Sequence, residues 1–395
     1  MNRIFPLLAA SLLITLTAGC APESSPESSP SASTSASTAA PRTDPLAPAL
    51  DLLDSHQYGP AQTWLKTYCD SHPSDASARL LLENATADQA GKPITRLALA
   101  VSAGTLKGDE ELRAAWVAEQ FVNAHGGVGG SVLNLLPTDL DGMGHLSSDV
   151  LAMVVDDRMA VMAVTSGLPF ISLLPPDPAA PLLSASFTPP GEQQWKLTAG
   201  GVQAKGHVLV LLEKGGRPPS AVNWAGGNVT CDMRPVGDPV DVSQYSTVVV
   251  ATPWSFAPAA IETLTHSTGV PVWVCDLLGQ NPSRQSSPPP PPAGTTFPDG
   301  VLVASEFGAV KSDPDQNNFT QAYMASLDHK HPGPWGWRTW RAIMALRDCA
   351  TQGATRDQMR RAVHQMTFPP ARQWFVLRYV KGDWEYVRTL GTLKG

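Results

Sequence analysis

Residues 94–139 constrain the fold more than any other stretch of this chain. "ITRLALAVSAG" is rich in β-formers and ends at Gly104. "GDEELRAAWVAEQFVNA" follows, with Leu112, Ala115, Trp116, Glu119 and Val122 at helical spacing and Asp109, Glu110 and Glu111 in its first turn. Four glycines in five positions (Gly126, Gly127, Gly129 and Gly130) then lead into the apolar run "SVLNLLPTD". A strand, a helix and a second strand in this order make a β-α-β unit, and its crossover requires a parallel sheet.

The glycines admit a chemical and an architectural reading. Phosphate-binding glycines lie between a strand and the start of the next helix, where free N–H groups converge. Here they follow a helix and precede a strand, at a carbonyl end whose partial negative charge repels phosphate. The architectural reading holds. One glycine takes the left-handed position that closes the helix, and the others allow a tight turn into the strand.

The alternation continues along the chain. The pattern predicts a strand at "VLAMVV", a helix from Arg158 to Thr165 and a strand at "LPFISLL", then a Pro/Gly-rich transition over 175–200. A second block predicts a helix from Gln203 to Glu213, strands at "SAVNWA", "VTCDMRPV" and "STVVVATP", a helix from Pro258 to Ser267 and a strand at "VPVWVCDLL". The loop "GQNPSRQSSPPPPPAGTT" cannot enter a sheet interior. Strand "GVLVASEF" precedes three helices, whose faces carry Phe319 and Tyr323, then Ile343 and Leu346, then Met359 and Val363. "RQWFVLRYVKGDWEYVRTL" alternates across Gly382-Asp383 as a β-hairpin.

The chain begins with a processing segment. Arg3, the apolar run "IFPLLAASLLITL" and "TAGC" resemble a bacterial lipoprotein signal, with cleavage before Cys20 and lipid on that cysteine. Residues 20–45, rich in Ser, Pro, Thr and Ala, lack the apolar surface to offset ordering entropy and form a disordered tether reaching some tens of ångströms. Anchor and tether place the working part outside the cytoplasmic membrane. Residues 46–91 form a helical hairpin: two short helices over 47–86, broken at Pro73 and restarted with Ser74 or Asp75 as N-cap. "YGPA…WL..Y…HPSDASA" resembles one tetratricopeptide-type hairpin.

Composition narrows the function. With 28 basic against 35 acidic residues the net charge is -7, so no basic stripe serves nucleic acid. Cys69, Cys231, Cys275 and Cys349 fit no zinc spacing, and their pairing stays open. No H-E-x-x-H, G-x-S-x-G, P-loop or strand-linked G-x-G-x-x-G occurs, so the chain is read as a non-enzyme without a cofactor. His329 and His331 precede Pro332 and Pro334 in a loop, which disfavours metal binding, and Trp335, Trp337 and Trp340 read as packing residues.

The β-α-β segment, with Asn123, Gly126, Gly127 and Gly130 in an Asn-x-x-Gly-Gly-x-x-Gly turn and Asp139 after the strand, resembles the type 1 periplasmic binding proteins of the branched-chain amino acid and amide class. "NNFTQAYMASLDHKHPGPWGWRTWRAIMALRDCATQGATRDQMRRAV" resembles that family's late helices, and "GVPVWVCDLLG" a strand running to its cleft. The chain departs from the family where "LDGMGHLSSD" leaves little room for a helix and where "VVDDR" replaces a Gly/Ser ligand loop. The resemblance implies an α/β fold over 92–395 with two lobes and parallel sheets. Lobe 1 spans about 92–185 and 305–368, and lobe 2 about 186–304 and 369–395.

In such a fold, ligands sit at the C-terminal ends of the strands, between the lobes. That nominates Ser102, Asp156, Asp157 and Ser172 from the first lobe, and Asn223, Trp224, Trp254 and Asp276 from the second. Asp276 follows its strand near where the family sets an acid against a ligand ammonium, and Trp254 offers a stacking face. Trp224 reads better as filling between sheet and helix. The implied function is capture of a small polar ligand by an extracytoplasmic lipoprotein, with an ABC permease as partner. The alternative is a regulatory or scaffold lipoprotein that binds an envelope protein, since lipoprotein activators of cell-wall synthases join tetratricopeptide-like helices to such a fold.

Overall fold

The computed structural model describes residues 45–101, 106–139, 160–162, 171–172, 185–186, 191–202, 206–212, 229–237, 239–252, 257–275, 296–308, 313–327, 329–349 and 373–391. All of them belong to one unit that runs from Pro45 to the C-terminus. The β-α-β unit is present: β1 (Ile94–Val101), α4 (Leu106–Ala124) and β2 (Val132–Asp139). β1 and β2 pair in parallel from Ile94↔Val132 to Val101↔Asp139, and β3 (Ala160–Met162) lies on the other side of β1.

The glycine turn does the work its position implied. Gly127 N–H donates to the Val122 carbonyl at 2.9 Å and Gly126 N–H to Asn123 at 3.4 Å, the bonding pair that closes a helix through a left-handed residue. Gly126 and Gly127 both have positive φ, 96° and 72°. A Cβ on Gly127 would overlap the Ser131 carbonyl oxygen, so the turn closes only without a side chain there.

β2 is an edge strand, in the order β2-β1-β3, and side chains seal its open edge. The Asn123 amide both accepts from Leu133 N–H at 2.7 Å and donates to Leu133 C=O at 2.9 Å, as a neighbouring strand would. Glu119 accepts from Leu135 N–H at 2.6 Å, and Asn84 donates to Leu135 C=O at 2.8 Å. The Glu119 on the apolar face of the helical pattern is therefore there to terminate a sheet.

Asn84 comes from the N-terminal helices. These number three rather than the expected two: α1 (Ala47–Asp54), α2 (Tyr58–Ser71) and α3 (Ala76–Gln89). The extra break lies at His56, held at φ 56° while Gln57 N–H reaches back to Leu52 at 2.8 Å. No glycine or proline stands there to signal it. Asp75 caps α3 by accepting from Ala78 N–H at 3.0 Å. α3 is shared between two cores. Ala76 and Leu80 pack with the main body, whereas Ala78, Leu81 and Ala85 pack with Leu46, Ala49, Leu65 and Cys69. An Arg96–Asp88 ion pair and a Gln120–Glu83 hydrogen bond of 3.0 Å add polar ties to the sheet unit.

The second sheet has seven strands in the order β14-β13-β12-β11-β9-β6-β7. They are β6 (Gly206–Leu212), β7 (Val229–Pro235), β9 (Thr247–Ala251), β11 (Val272–Cys275), β12 (Leu302–Ser305), β13 (Trp374–Val380) and β14 (Asp383–Gly391). The strands from β7 to β12 are parallel, and β13 and β14 form an antiparallel hairpin. Lys381 and Gly382 make its turn with φ 52° and 82°, the double left-handed turn that suits strand twist. Helix α5 (Gly191–Gly201) covers one face, where Trp195 and Val202 meet Val208, Val210, Val249 and Trp273. Short pairs β4 (Ile171–Ser172) with β5 (Ala185–Ser186), and β8 (Val240–Asp241) with β10 (Leu264–Thr265), lie outside both sheets.

Several expectations are corrected. The helix over 158–165 gives way to β3, because pairing with β1 overrides the Met/Ala helix preference. The helix over 203–213 is strand β6, whose Val208–Leu212 are all buried between two neighbours. Such a central strand reads as a continuous apolar run without alternation. The transition over 175–200 contains β5 and most of α5. The helix expected over 258–267 is the short α6 (Ala257–Glu262), followed by β10. α4 starts at Leu106, so of the three acids expected in its first turn only Asp109 lies there, and Glu110 and Glu111 are buried further along. The expected strands "VLAMVV" and "SAVNWA", the polyproline loop and the helix around Met359 lie outside the described residues.

Two late helices pack on α4. α7 (Pro314–Ser326) starts at Asp313, whose carboxylate accepts from Asp315 and Gln316 N–H at 3.0 and 3.2 Å. α8 (Pro334–Cys349) packs along α4, and Trp335, Trp337 and Trp340 are buried as packing residues. Ring contacts run from Phe121 to Trp340 (4.9 Å), Phe319 (5.1 Å) and Trp337 (5.8 Å), then to Phe307 beyond β12 (5.5 Å). One apolar cluster thus joins the three-stranded and seven-stranded sheets.

Candidate functional site

The strand ends that nominate the ligand site are in place. β1 ends at Val101, directly before Ser102. β9 and β11 are parallel neighbours with Ala251 opposite Cys275, so their C-terminal ends lie side by side, about 5 Å apart. Ser172 ends β4 and pairs with Ser186 of β5. Ser102, Asp156, Asp157, Asn223, Trp224, Trp254, Asp276 and Cys20 lie outside the described residues. Among the described residues, no group of three His, Cys, Asp or Glu could hold a metal ion.

Just beyond the C-terminal end of β12, the structure reveals a buried polar cluster that sequence reasoning missed. Arg338 on α8 is 1% exposed, and its guanidinium lies 4.5 Å from the centre of the Trp335 ring. Its Nε donates to Glu306 Oε1 and its Nη2 to Gln194 Oε1, both at 3.4 Å. Glu306 follows β12 directly and is 6% exposed, and Gln194 stands in the first turn of α5 at 2%. Lys107, at the start of α4, sets its ammonium 4.1 Å from the same Trp335 ring and 3.7 Å from Glu111. The sequence carried half of the signal: Arg338 falls three residues after Trp335 and four before Ala342, inside an apolar stripe, so the charge needs a buried partner that the local pattern does not name.

Beside this cluster a cavity of about 740 Å³ opens against the C-terminal hairpin, lined by Phe307, Gly308, Pro332, Phe375, Leu377 and Tyr386. Its volume lies within the range of small-molecule pockets.

Burial holds two carboxyls of α4, Glu110 and Glu119, above the usual carboxylate range. Glu110 Oε1 accepts from Gly336 N–H at 2.8 Å, at the start of α8, and burial pushes its pKa up to about 7 against the opposing amide bond. Burial likewise raises Glu119 well above the carboxylate range, against its bond from Leu135. Such groups add stability that is complete below their unfolded pKa near 4.5 and is lost as pH rises through the folded value. Glu119→Gln keeps an acceptor for Leu135 and cannot ionise. Urea unfolding is expected to find it more stable than wild type at pH 8, with no gain at pH 4.5. An equal difference at both pH values would disprove the ionisation account.

No family model matches the sequence, and no curated protein matches it. Solved structures do. The branched-chain amino acid transporter substrate-binding protein LivJ of Streptococcus pneumoniae, in complex with isoleucine, aligns with 75% of this chain and all of its own at a TM-score of 0.52 and 15% identity. An ABC transporter substrate-binding protein of Desulfitobacterium hafniense, in complex with Leu, aligns with 74% of this chain and all of its own at a TM-score of 0.50 and 14% identity. At that identity the likeness speaks for the fold. This chain has the two-lobed type 1 periplasmic-binding-protein fold, with the N-terminal helices as an addition.

Proposed function

We propose that this protein is an extracytoplasmic solute-binding lipoprotein, anchored through Cys20, that captures a small polar ligand of the amino acid or amide class for an ABC importer. The observation that carries the reading is the fold shared with isoleucine- and leucine-bound proteins, with β1, β9 and β11 all ending where the nominated residues begin. In this reading Asp276 pairs with a ligand ammonium, Ser102 and Ser172 offer hydroxyls, Asp156 and Asp157 line the first lobe, and Trp254 closes over the ligand. Affinity comes from hydrogen bonds that lose water as the lobes approach, so binding rather than catalysis is the output. A thermal-shift screen over amino acids, amides and small metabolites tests it. A true ligand at a hundred times its Kd adds about 2.7 kcal/mol of stability, and Asp276→Asn is expected to remove that shift for an amine-bearing ligand. No stabilisation across the panel would end the solute-binding reading.

One observation favours a second reading, a scaffold lipoprotein. α1 and α2 carry a groove lined by Leu52, Pro60, Trp64 and Tyr68 on a helical unit that solute capture does not use. Silence in the ligand screen, together with an envelope protein recovered by pull-down, would favour it.

A further inference from the structure

We infer that Arg338 is a clamp between the two lobes, holding the first lobe's α8 against the crossover after β12 and against helix α5 of the second lobe. α8 belongs to the first lobe by its packing on α4, and α5 belongs to the second by its packing on β11 and β12. One buried guanidinium therefore spans the seam. Its fork meets the Glu306 carboxylate and the Gln194 amide, each at 3.4 Å, and one face lies over Trp335. Glu306 is itself fixed, since Gln316 of α7 accepts from Gly308 N–H at 3.1 Å and donates to the Glu306 carbonyl at 3.5 Å.

The chemistry makes this contact a switch point rather than a filler. Sliding α5 away from α8 removes the Gln194 acceptor from a buried guanidinium, whose freed N–H has no water to replace it, while Glu306 and Trp335 stay with it. On the other side of the crossover, Phe307 and Gly308 border the cavity of about 740 Å³. The Arg338 contacts thus add a directional polar restraint to the apolar cluster that joins the two sheets. The inference concerns the coupling of the lobes and stands whether or not a solute is bound.

Hydrogen exchange on the full-length protein tests it, with Arg338→Met and Glu306→Gln against wild type. Loss of the clamp is expected to speed exchange at least tenfold at Glu306–Gly308 and in the first turns of α5 and α8, with β1, β2 and α3 unchanged. Small-angle scattering should show a larger radius of gyration for the same variants. Wild-type exchange rates in either folded variant would overturn the clamp. So would a rise spread evenly over the whole molecule, which marks general destabilisation. Should Arg338→Met fail to fold, the near-isosteric Glu306→Gln carries the test in the same readout. Arg338→Lys, which keeps the charge but loses the fork, is expected to fall between.

Discussion

Alanine at position 127 is expected to destabilise the protein by about 3 kcal/mol or more and to lower Tm by roughly 5–10 °C. Two effects combine. Gly127 sits at φ 72°, where an L side chain is strained by about 1–2 kcal/mol. The new Cβ also overlaps the Ser131 carbonyl oxygen, which is backbone and cannot swing aside. To relieve it, the turn must open between the end of α4 and β2, loosening the Asn123 and Glu119 bonds that seal the sheet edge. Gly130 is the internal control. Its φ is 87°, but nothing lies within 4 Å of an added Cβ, so its alanine variant should show the conformational term alone. Urea unfolding of both variants separates the terms, and a Gly127→Ala loss no greater than that of Gly130→Ala would refute the steric account.

Trp335→Ala is expected to remove about 3–5 kcal/mol, the range for deleting a fully buried large aromatic side chain. Trp335 is 0% exposed at the head of α8, and its ring is the common face for the Lys107 ammonium and the Arg338 guanidinium. Alanine leaves both a void and two cations without the ring beneath them. Phenylalanine restores part of the volume and a weaker cation-facing ring, so about half of the loss should return. Chemical denaturation gives both numbers. A Trp335→Ala loss below about 1 kcal/mol would mean the seam repacks freely and is not a close-packed junction.

The first lobe was more legible than the second for a physical reason. In the β-α-β segment each element differs from the next in period, and glycines punctuate the boundary, so local chemistry and tertiary position agree. In the second lobe, Val208–Leu212 is apolar on both faces because β6 is flanked by β7 and β9. Periodicity cannot separate such a run from a buried helix. "GEQQWKLTAGG" is polar and glycine-flanked, which masked α5, yet Trp195, Thr198 and Val202 recur at helical spacing on its buried side. The nominated ligand residues followed from the topology alone. The Arg338 cluster required knowing that α8, β12 and α5 converge, a fact no local pattern contains.

Local rules were therefore enough for the parallel order of the opening unit, the helix stop at Gly126 and Gly127, the C-terminal hairpin, whose turn falls at Lys381-Gly382 one residue before the expected Gly382-Asp383, and the burial of the three tryptophans. They depend on backbone conformation and on solubility of side chains within a few residues of one another. Three-dimensional packing settled what depends on distant partners. It showed that Glu119 and Asn84 finish the edge of β2, that Glu110 caps α8 from another helix, and that Glu306, just after β12, neutralises Arg338 of α8. Buried polar groups are tolerated only where a partner meets them, and those partners lie as far as 226 residues away in the chain.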